Sequence, residues 1–385
     1  MLIAMSRPKP VLSRRDFLKL TGLSAGALVL HPWATKVDAV SVRKLTLPEF
    51  PKANDLGRNC MSGRILVKAK PDAGSASVAE IEADTVLPWL REVTATNWDM
   101  NRINQRWVET PQGYVYSGYL QPCRNLPNQP LAALPEGKSG FWAEVTVPYV
   151  DLVLDNPPAR SPSVINQLRE NLTPRLYYSQ VVWLDQIKTS DSGKILYRFN
   201  EDGGRPPGVT GGSYGDLFWA EGTAFRPLTG DDVSPIHPQV DPKTKKIKVN
   251  LTYQTLACYE GDKEVYFCRV STGTEPGSTP IGDTFAIWRK TLSIHMSGGN
   301  DTSGYDGPGV SWTSFFVSGG VAIHAAFWHN DFGSLQSHGC VNCAPEDAKW
   351  IFRWNQPQVD LDTADITWHD VQSGSTHVVV EQRLF

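Results

Sequence analysis

Ser337-His338-Gly339-Cys340-Val341-Asn342, with His324 twelve intervening residues upstream, is the stretch on which the reading of this chain turns. A cysteine attacks only as its thiolate, and at an unperturbed pKa of about 8.5 it needs a base, a cation or hydrogen-bond donors nearby. The hexapeptide supplies such groups. Gly339 lets backbone come close to a substrate, the N–H groups of Gly339 and Cys340 are candidate oxyanion donors, and His338 brings an imidazole beside the thiol. Pro345-Glu346-Asp347-Ala348 predicts a helix start, whose positive end would lie near the sulfur. Cys340 is therefore the candidate nucleophile and His324 the candidate base, with His329 its rival.

Other chemistries compete for the same residues. Cys340-x-x-Cys343 with His338 and His324 would make half of a zinc site, but no second CxxC or HxxxH completes the four-ligand set. A redox dithiol of this spacing belongs after a strand in a βαβ unit, and the sequence shows none. A buried, inert cysteine leaves Ser-His-Gly unexplained. No metal and no cofactor is expected.

The 385 residues carry 20% charged, 41% hydrophobic and 10% aromatic side chains, with 28 prolines, 32 glycines and 13 tryptophans. This is a loop-rich, mainly β composition, long enough for two or three domains. Ser13-Arg14-Arg15-Asp16-Phe17-Leu18-Lys19 precedes an apolar run, Leu20 to Leu30, too short for the ~20 residues that span a bilayer. The arrangement resembles a twin-arginine export signal, with Val37-Asp38-Ala39 as a cleavage site. Residues 1–39 hold six Lys/Arg and two Asp/Glu, so the remainder holds 31 basic and 38 acidic residues, a net charge of −7. That excess argues against nucleic acid as a partner. In an oxidising compartment Cys60 and Cys123, and Cys258 and Cys268, are candidate disulfides, and Cys343 would be a candidate for reversible oxidative locking of Cys340.

The pattern of His324, twelve residues, then Ser-His-Gly-Cys-Val-Asn, with Ile323-His324-Ala325-Ala326-Phe327-Trp328 before it and the aromatic helix Pro345 to Trp354 after it, resembles the signature of the YkuD-type L,D-transpeptidases. Ser271-Thr272-Gly273 and Thr279-Pro280-Ile281-Gly282 extend the resemblance over roughly 241–383. It implies a β-sandwich catalytic domain and a thioester route that cross-links peptidoglycan stem peptides. The alternatives are hydrolysis of the same acyl-enzyme, as in an L,D-carboxypeptidase, or a non-catalytic wall-binding protein. The resemblance also implies that Tyr305, Gly319, Gly320, Ser337 and Asn342 line the substrate site, with Tyr305 on a Gly/Ser/Asn-rich flap, Ser297 to Val310. His338 and Gly339 would support the oxyanion, and a backbone carbonyl at Ala325 or a neighbour would orient His324. Nothing in the sequence sets the oligomeric state.

Working back toward the N-terminus, the expected domains are a leader at 1–39, a linker at 40–59, a β module at 60–125, a second at 126–240, and the catalytic domain at 241–385. Short runs such as Arg64–Lys68, Gln105–Thr110 and Gly113–Tyr116, broken by Gly/Pro turns, predict a small barrel, and their order resembles a bacterial Src-homology-3-like domain. Tyr214 to Ala220 followed by Phe225-Arg226-Pro227 echoes the end of that module, suggesting a divergent second barrel. Both modules are candidate binders of wall polymer. Ser161, before Pro162, is an expected N-cap, and Lys246 to Leu256 reads as one alternating strand that Glu264 to Val270 rejoins after a turn at Glu260–Lys263. Ala344 forgoes a side-chain cap on the later helix.

Overall fold

Strands dominate because β-branched and aromatic residues recur every second position between Gly, Pro and Asn turns. The computed structural model describes residues 45–100, 102–204, 212–275, 277–298, 305–369 and 374–383, all within one unit, Leu45–Phe385. The leader at 1–39 lies outside the described residues.

Two antiparallel sheets form the first part. Leu56–Asn59 lies between Val86–Pro88 and Leu120–Cys123, and a five-stranded sheet runs Ser77–Ile81, Ile65–Lys68, Gly113–Tyr116, Arg106–Thr110, Arg91–Thr94. Val67, Val108, Val115 and Leu120 are fully buried between them. The expected linker at 40–59 is corrected at its end, because Leu56–Asn59 is a central strand buried along its length. Leu47 and Phe50 also pack on the next module, and Leu47 N–H donates to Glu221 at 2.6 Å.

The second part is a six-stranded sheet in the order Val153–Leu154, Leu217–Glu221, Ile195–Asn200, Val181–Thr189, Phe141–Val145, Phe225–Pro227. Its core holds Leu184, Tyr197, Phe199, Phe218 and Phe225. The helix Pro162–Arg169 starts as its sequence dictates, with Ser161 Oγ accepting from Val164 N–H and Pro at the first turn. The two modules end alike. Strand Gly113–Tyr116, a 3-10 turn Ser117–Tyr119 and strand Leu120–Cys123 in the first correspond to Leu217–Glu221, Gly222–Ala224 and Phe225–Pro227 in the second.

The third part packs two five-stranded sheets on one core. One runs Lys263–Arg269, Thr255–Glu260, Lys245–Asn250, His377–Glu381, Gly282–Ala286; the other runs Val341–Cys343, Ala322–Ala325, Tyr305–Phe315, Arg289–Gly298, Asp365–Thr367. Ile247, Val249, Leu256 and Val378 from the first meet Leu292, Trp312, Ile323 and Val341 from the second, with Ile351 and Phe352 of the helix Pro345–Trp354. The single strand expected over Lys246 to Leu256 is corrected to two. The chain reverses at Leu251–Gln254, with Tyr253 N–H on Asn250 Oδ1 at 3.0 Å and Gln254 at φ 51°. The described part of the expected flap is strand: Ser297–Gly298 and Tyr305–Val310 pair in the long hairpin, and 299–304 lie outside the described residues. Among the described residues no helix is long and apolar enough to cross a membrane.

Candidate active site

The site grows from one parallel ladder. Ala322–Ala325 pairs with Val341–Cys343 in the register Ile323↔Val341, His324↔Asn342, Ala325↔Cys343. Ile323, Ala325, Val341 and Cys343 point into the shared core, so alternation puts His324, Asn342 and Cys340 on the opposite face. There Cys340 packs with Ala322, Phe315 and Trp328. Strand rise and spacing set His324 and Cys340 about 8 Å apart at Cα, a span an imidazole and a thiol can bridge.

His324 Nδ1 lies 2.9 Å from Ala325 O, which fixes the proton on Nδ1 and leaves Nε2 as the acceptor. Burial pushes the His324 pKa down to about 4, offset in part by that carbonyl. Burial likewise raises the Cys340 thiol above its ordinary value, against a backbone hydrogen bond at Ala322 that lowers it. The resting pair is therefore neutral thiol and neutral imidazole. Cys340 Sγ points at Gly320 O, 3.8 Å away.

Ser337 folds the approach to Cys340. Its Oγ accepts from Gly339 N–H at 3.0 Å and donates to Cys340 O at 2.6 Å. Of the two expected oxyanion donors, the Gly339 N–H is engaged by Ser337 Oγ. Gly339 sits at φ +146°, and a Cβ there would meet Ser278 O at 2.7 Å, so no other residue fits. Thr279 Oγ1 donates to Gly339 O at 2.7 Å and accepts from Gly273 N–H at 3.0 Å. Ser271 and Gly273 bridge to Asn342 and Ser337. The 271–279 segment thus braces the hexapeptide.

Tyr305, half exposed, stacks on His338 with ring centroids 5.1 Å apart and planes at 28°. Gly319 and Gly320 form the exposed tip of the turn between Val317 and Val321, beside the thiol, with Gly320 at φ +93°. His329 is not on the ladder. It lies behind Asn342, whose carboxamide nitrogen is 3.1 Å from His329 Nε2.

Four expectations about sulfur and helix are corrected. The helix Pro345–Trp354 begins after strand Val341–Cys343, about 13 Å or more from Cys340 along the chain. A helix end acts only over its own first turn, so it does not reach the sulfur. Ala344 is its N-cap and makes no side-chain cap. Cys343 faces the core while Cys340 faces out, so the two cannot lock together. Cys60 and Cys123 are free thiols: Cys123 pairs with Leu56, four residues from Cys60 along the strand, beyond the ~7 Å Cα limit of a disulfide. Cys258 and Cys268 are also free, buried on adjacent strands two residues out of register, with Cys343 against Cys268.

Sequence reading missed Asp331, Asn330 and Asp306. Their partners lie on distant segments, and no local pattern marks such pairs.

The fold and site define a mainly β protein with a thiol–imidazole pair on the outer face of a sandwich sheet. Residues 244–380 match the family model of YkuD, the L,D-transpeptidase catalytic domain. No curated protein sequence matches the chain. Solved structures similar to it include an L,D-transpeptidase from Mycobacterium smegmatis, 16% identical, covering 51% of this chain and 98% of its own, with TM-score 0.29. An L,D-transpeptidase from Stackebrandtia nassauensis is 20% identical over 40% of this chain and 60% of its own, TM-score 0.25. The catalytic domain of the E. faecium L,D-transpeptidase is 26% identical over 36% and 98%, TM-score 0.27.

Proposed function

We propose that the chain is a peptidoglycan L,D-transpeptidase working through a thioester on Cys340. The observation that carries this is the ladder register that sets His324 and Cys340 on one face while Ala325 O holds the imidazole proton on Nδ1. His324 Nε2 takes the thiol proton as sulfur attacks the carbonyl between the third residue of a stem tetrapeptide and its D-Ala. Cys340 N–H donates to the oxyanion. Collapse expels D-Ala, whose amine takes the proton from His324 and leaves a thioester. The side-chain amine of another stem's third residue then attacks, gives its proton to His324, and sulfur leaves to recover it.

Tyr305 and His338, with Gly319, Gly320 and Asn342, are assigned to the substrate site. The modules at 60–125 and 126–240 are read as Src-homology-3-like barrels, a reading supported by their matching strand, 3-10 turn, strand endings. Export by the twin-arginine leader would bring the enzyme to the cell envelope, where its substrate lies.

Incubation with purified tetrapeptide muropeptides, followed by mass analysis of protein and products, tests the reading. We expect a Cys340 adduct lacking D-Ala and a cross-linked dimer, both absent in Cys340→Ala. Tripeptide without dimer would mean hydrolysis, and no adduct at all would leave a binding protein.

A further inference from the structure

The segment joining His324 to Cys340 contains no strand or helix after Ala325, so its course is set by what its side chains and carbonyls meet. Much of what they meet belongs to the first module. Arg58, buried and also bonded to Gln121 and Asp84, donates to Phe327 O at 3.1 Å. Asn330 donates from its backbone to Gly118 O at 3.3 Å and from its side chain to Ser117 O at 3.2 Å. Tyr116 Oη donates to Asp331 Oδ1 at 2.7 Å, and Asn104 Nδ2 to the same oxygen at 3.2 Å. The approach is close. A Cβ on Gly118 would lie 3.0 Å from the Asp331 side chain.

Asp331 passes this hold inward. Its backbone N–H donates to His329 Nδ1 at 3.3 Å, and its carbonyl accepts from Ser271 Oγ at 3.2 Å. Burial keeps His329 neutral, its pKa pushed down to about 4. A neutral ring that accepts at Nδ1 carries its proton on Nε2, facing the Asn342 carboxamide. Turning that carboxamide so that Oδ1 meets the proton gives the otherwise unpartnered, buried Oδ1 its donor. Asn342 is the ladder partner of His324 and lies two residues from Cys340.

We propose that the first module is a working part of the active site: Tyr116 and Asn104 are positioning residues that hold Asp331, and through His329 and Asn342 they set the His324–Cys340 geometry. The module then has a role in this chain apart from any wall polymer it binds. The inference rests on Cys340 being the nucleophile. An error of 1 Å in such geometry costs on the order of 100-fold in rate, and of the residues assigned to the substrate site only Asn342 lies on this path, so the effect falls mainly on kcat.

The test uses the full chain with Tyr116→Phe, Asn104→Ala, the double variant, Asp331→Ala and Asp331→Asn. Three readings are taken on each: the thermal midpoint, kcat and KM with tetrapeptide muropeptides, and the pH profile of Cys340 alkylation by iodoacetamide. We expect the double variant and Asp331→Ala to lose roughly 10- to 100-fold in kcat with KM within about two-fold, and to shift the alkylation profile. Asp331→Asn, which keeps an accepting oxygen, should recover most of the loss. A folded double variant with wild-type kcat and an unshifted profile would overturn the proposal, as would losses that merely follow the thermal midpoint. Should the wild type give no product, the nucleophile reading fails on its own. The alkylation profiles then decide the positioning claim, and identical profiles overturn it.

Discussion

Tyr305 lies over the ring of His338, and its neighbour Asp306 is tied to the second module. Asp306 accepts from Ser163 Oγ at 2.5 Å and from Ser161 Oγ and His295 Nε2. The residue beside the candidate substrate wall is thus anchored by the N-terminus of a helix that belongs to another sheet. A ring stack of this kind contributes about 0.5–1.5 kcal/mol. Tyr305→Ala should therefore raise KM by roughly 2- to 10-fold, while Tyr305→Phe, which keeps the stack, should stay near wild type. Steady-state kinetics with tetrapeptide substrates separate the two.

The buried pair sets the pH behaviour. His324 is neutral at every pH above about 4, so the acid limb of activity should fall near that value instead of near the usual imidazole pKa. The Cys340 thiol is raised, so alkylation at neutral pH should be slower than for free cysteine and should still be climbing beyond the ordinary thiol range. His324→Ala should cost about 10²–10⁴ in turnover by removing the base. His329→Ala should leave the base in place and lose less. Equal losses in the two variants would contradict the assignment of His324.

Much of the site could be read from sequence because it is local. The spacing of His324 and Cys340, the Ser-His-Gly run before the cysteine, and the helix over Pro345–Trp354 all lie within short windows. The break at Leu251–Gln254 was hidden because Ile247, Val249 and Leu256 all serve the same core, and the turn has no Gly or Pro, relying on Asn250 and a left-handed Gln254. Cysteine pairing failed for another reason. Flanking a module says nothing about register, and the ladder sets Cys123 opposite Leu56.

Lys290 is fully buried, with its Nζ on Phe352 O at 2.6 Å and Asn355 O at 3.0 Å, at the C-terminal end of the helix Pro345–Trp354. Those carbonyls have no helical donor of their own, so the lysine satisfies them where water cannot reach. Lys290→Met keeps the stem and removes the donors, leaving Phe352 O unpaired at about 1–3 kcal/mol, while Asn355 O keeps Gln358 Nε2 at 3.2 Å. Chemical denaturation should show a loss of about 1–3 kcal/mol, whereas Lys263→Met, exposed at the start of strand Lys263–Arg269, should change stability little.

Glu201 carries the remaining pH dependence. It is buried, 3.7 Å from His295 Nδ1, and accepts from Asp216 N–H. Burial raises its pKa to about 7 against the lowering effect of His295, with Asp216 and Asp306 adding to the rise. A carboxyl whose folded pKa lies above its unfolded value holds its proton more tightly in the native state. Its stabilising contribution is therefore complete below the ordinary carboxylate range and is lost as pH rises through about 7. The thermal midpoint of the wild type should fall across the window from about 4.5 to 7 to the extent that this group governs it. Glu201→Gln, neutral at every pH, should flatten that slope. A slope equally steep in Glu201→Gln would move the dependence to another group.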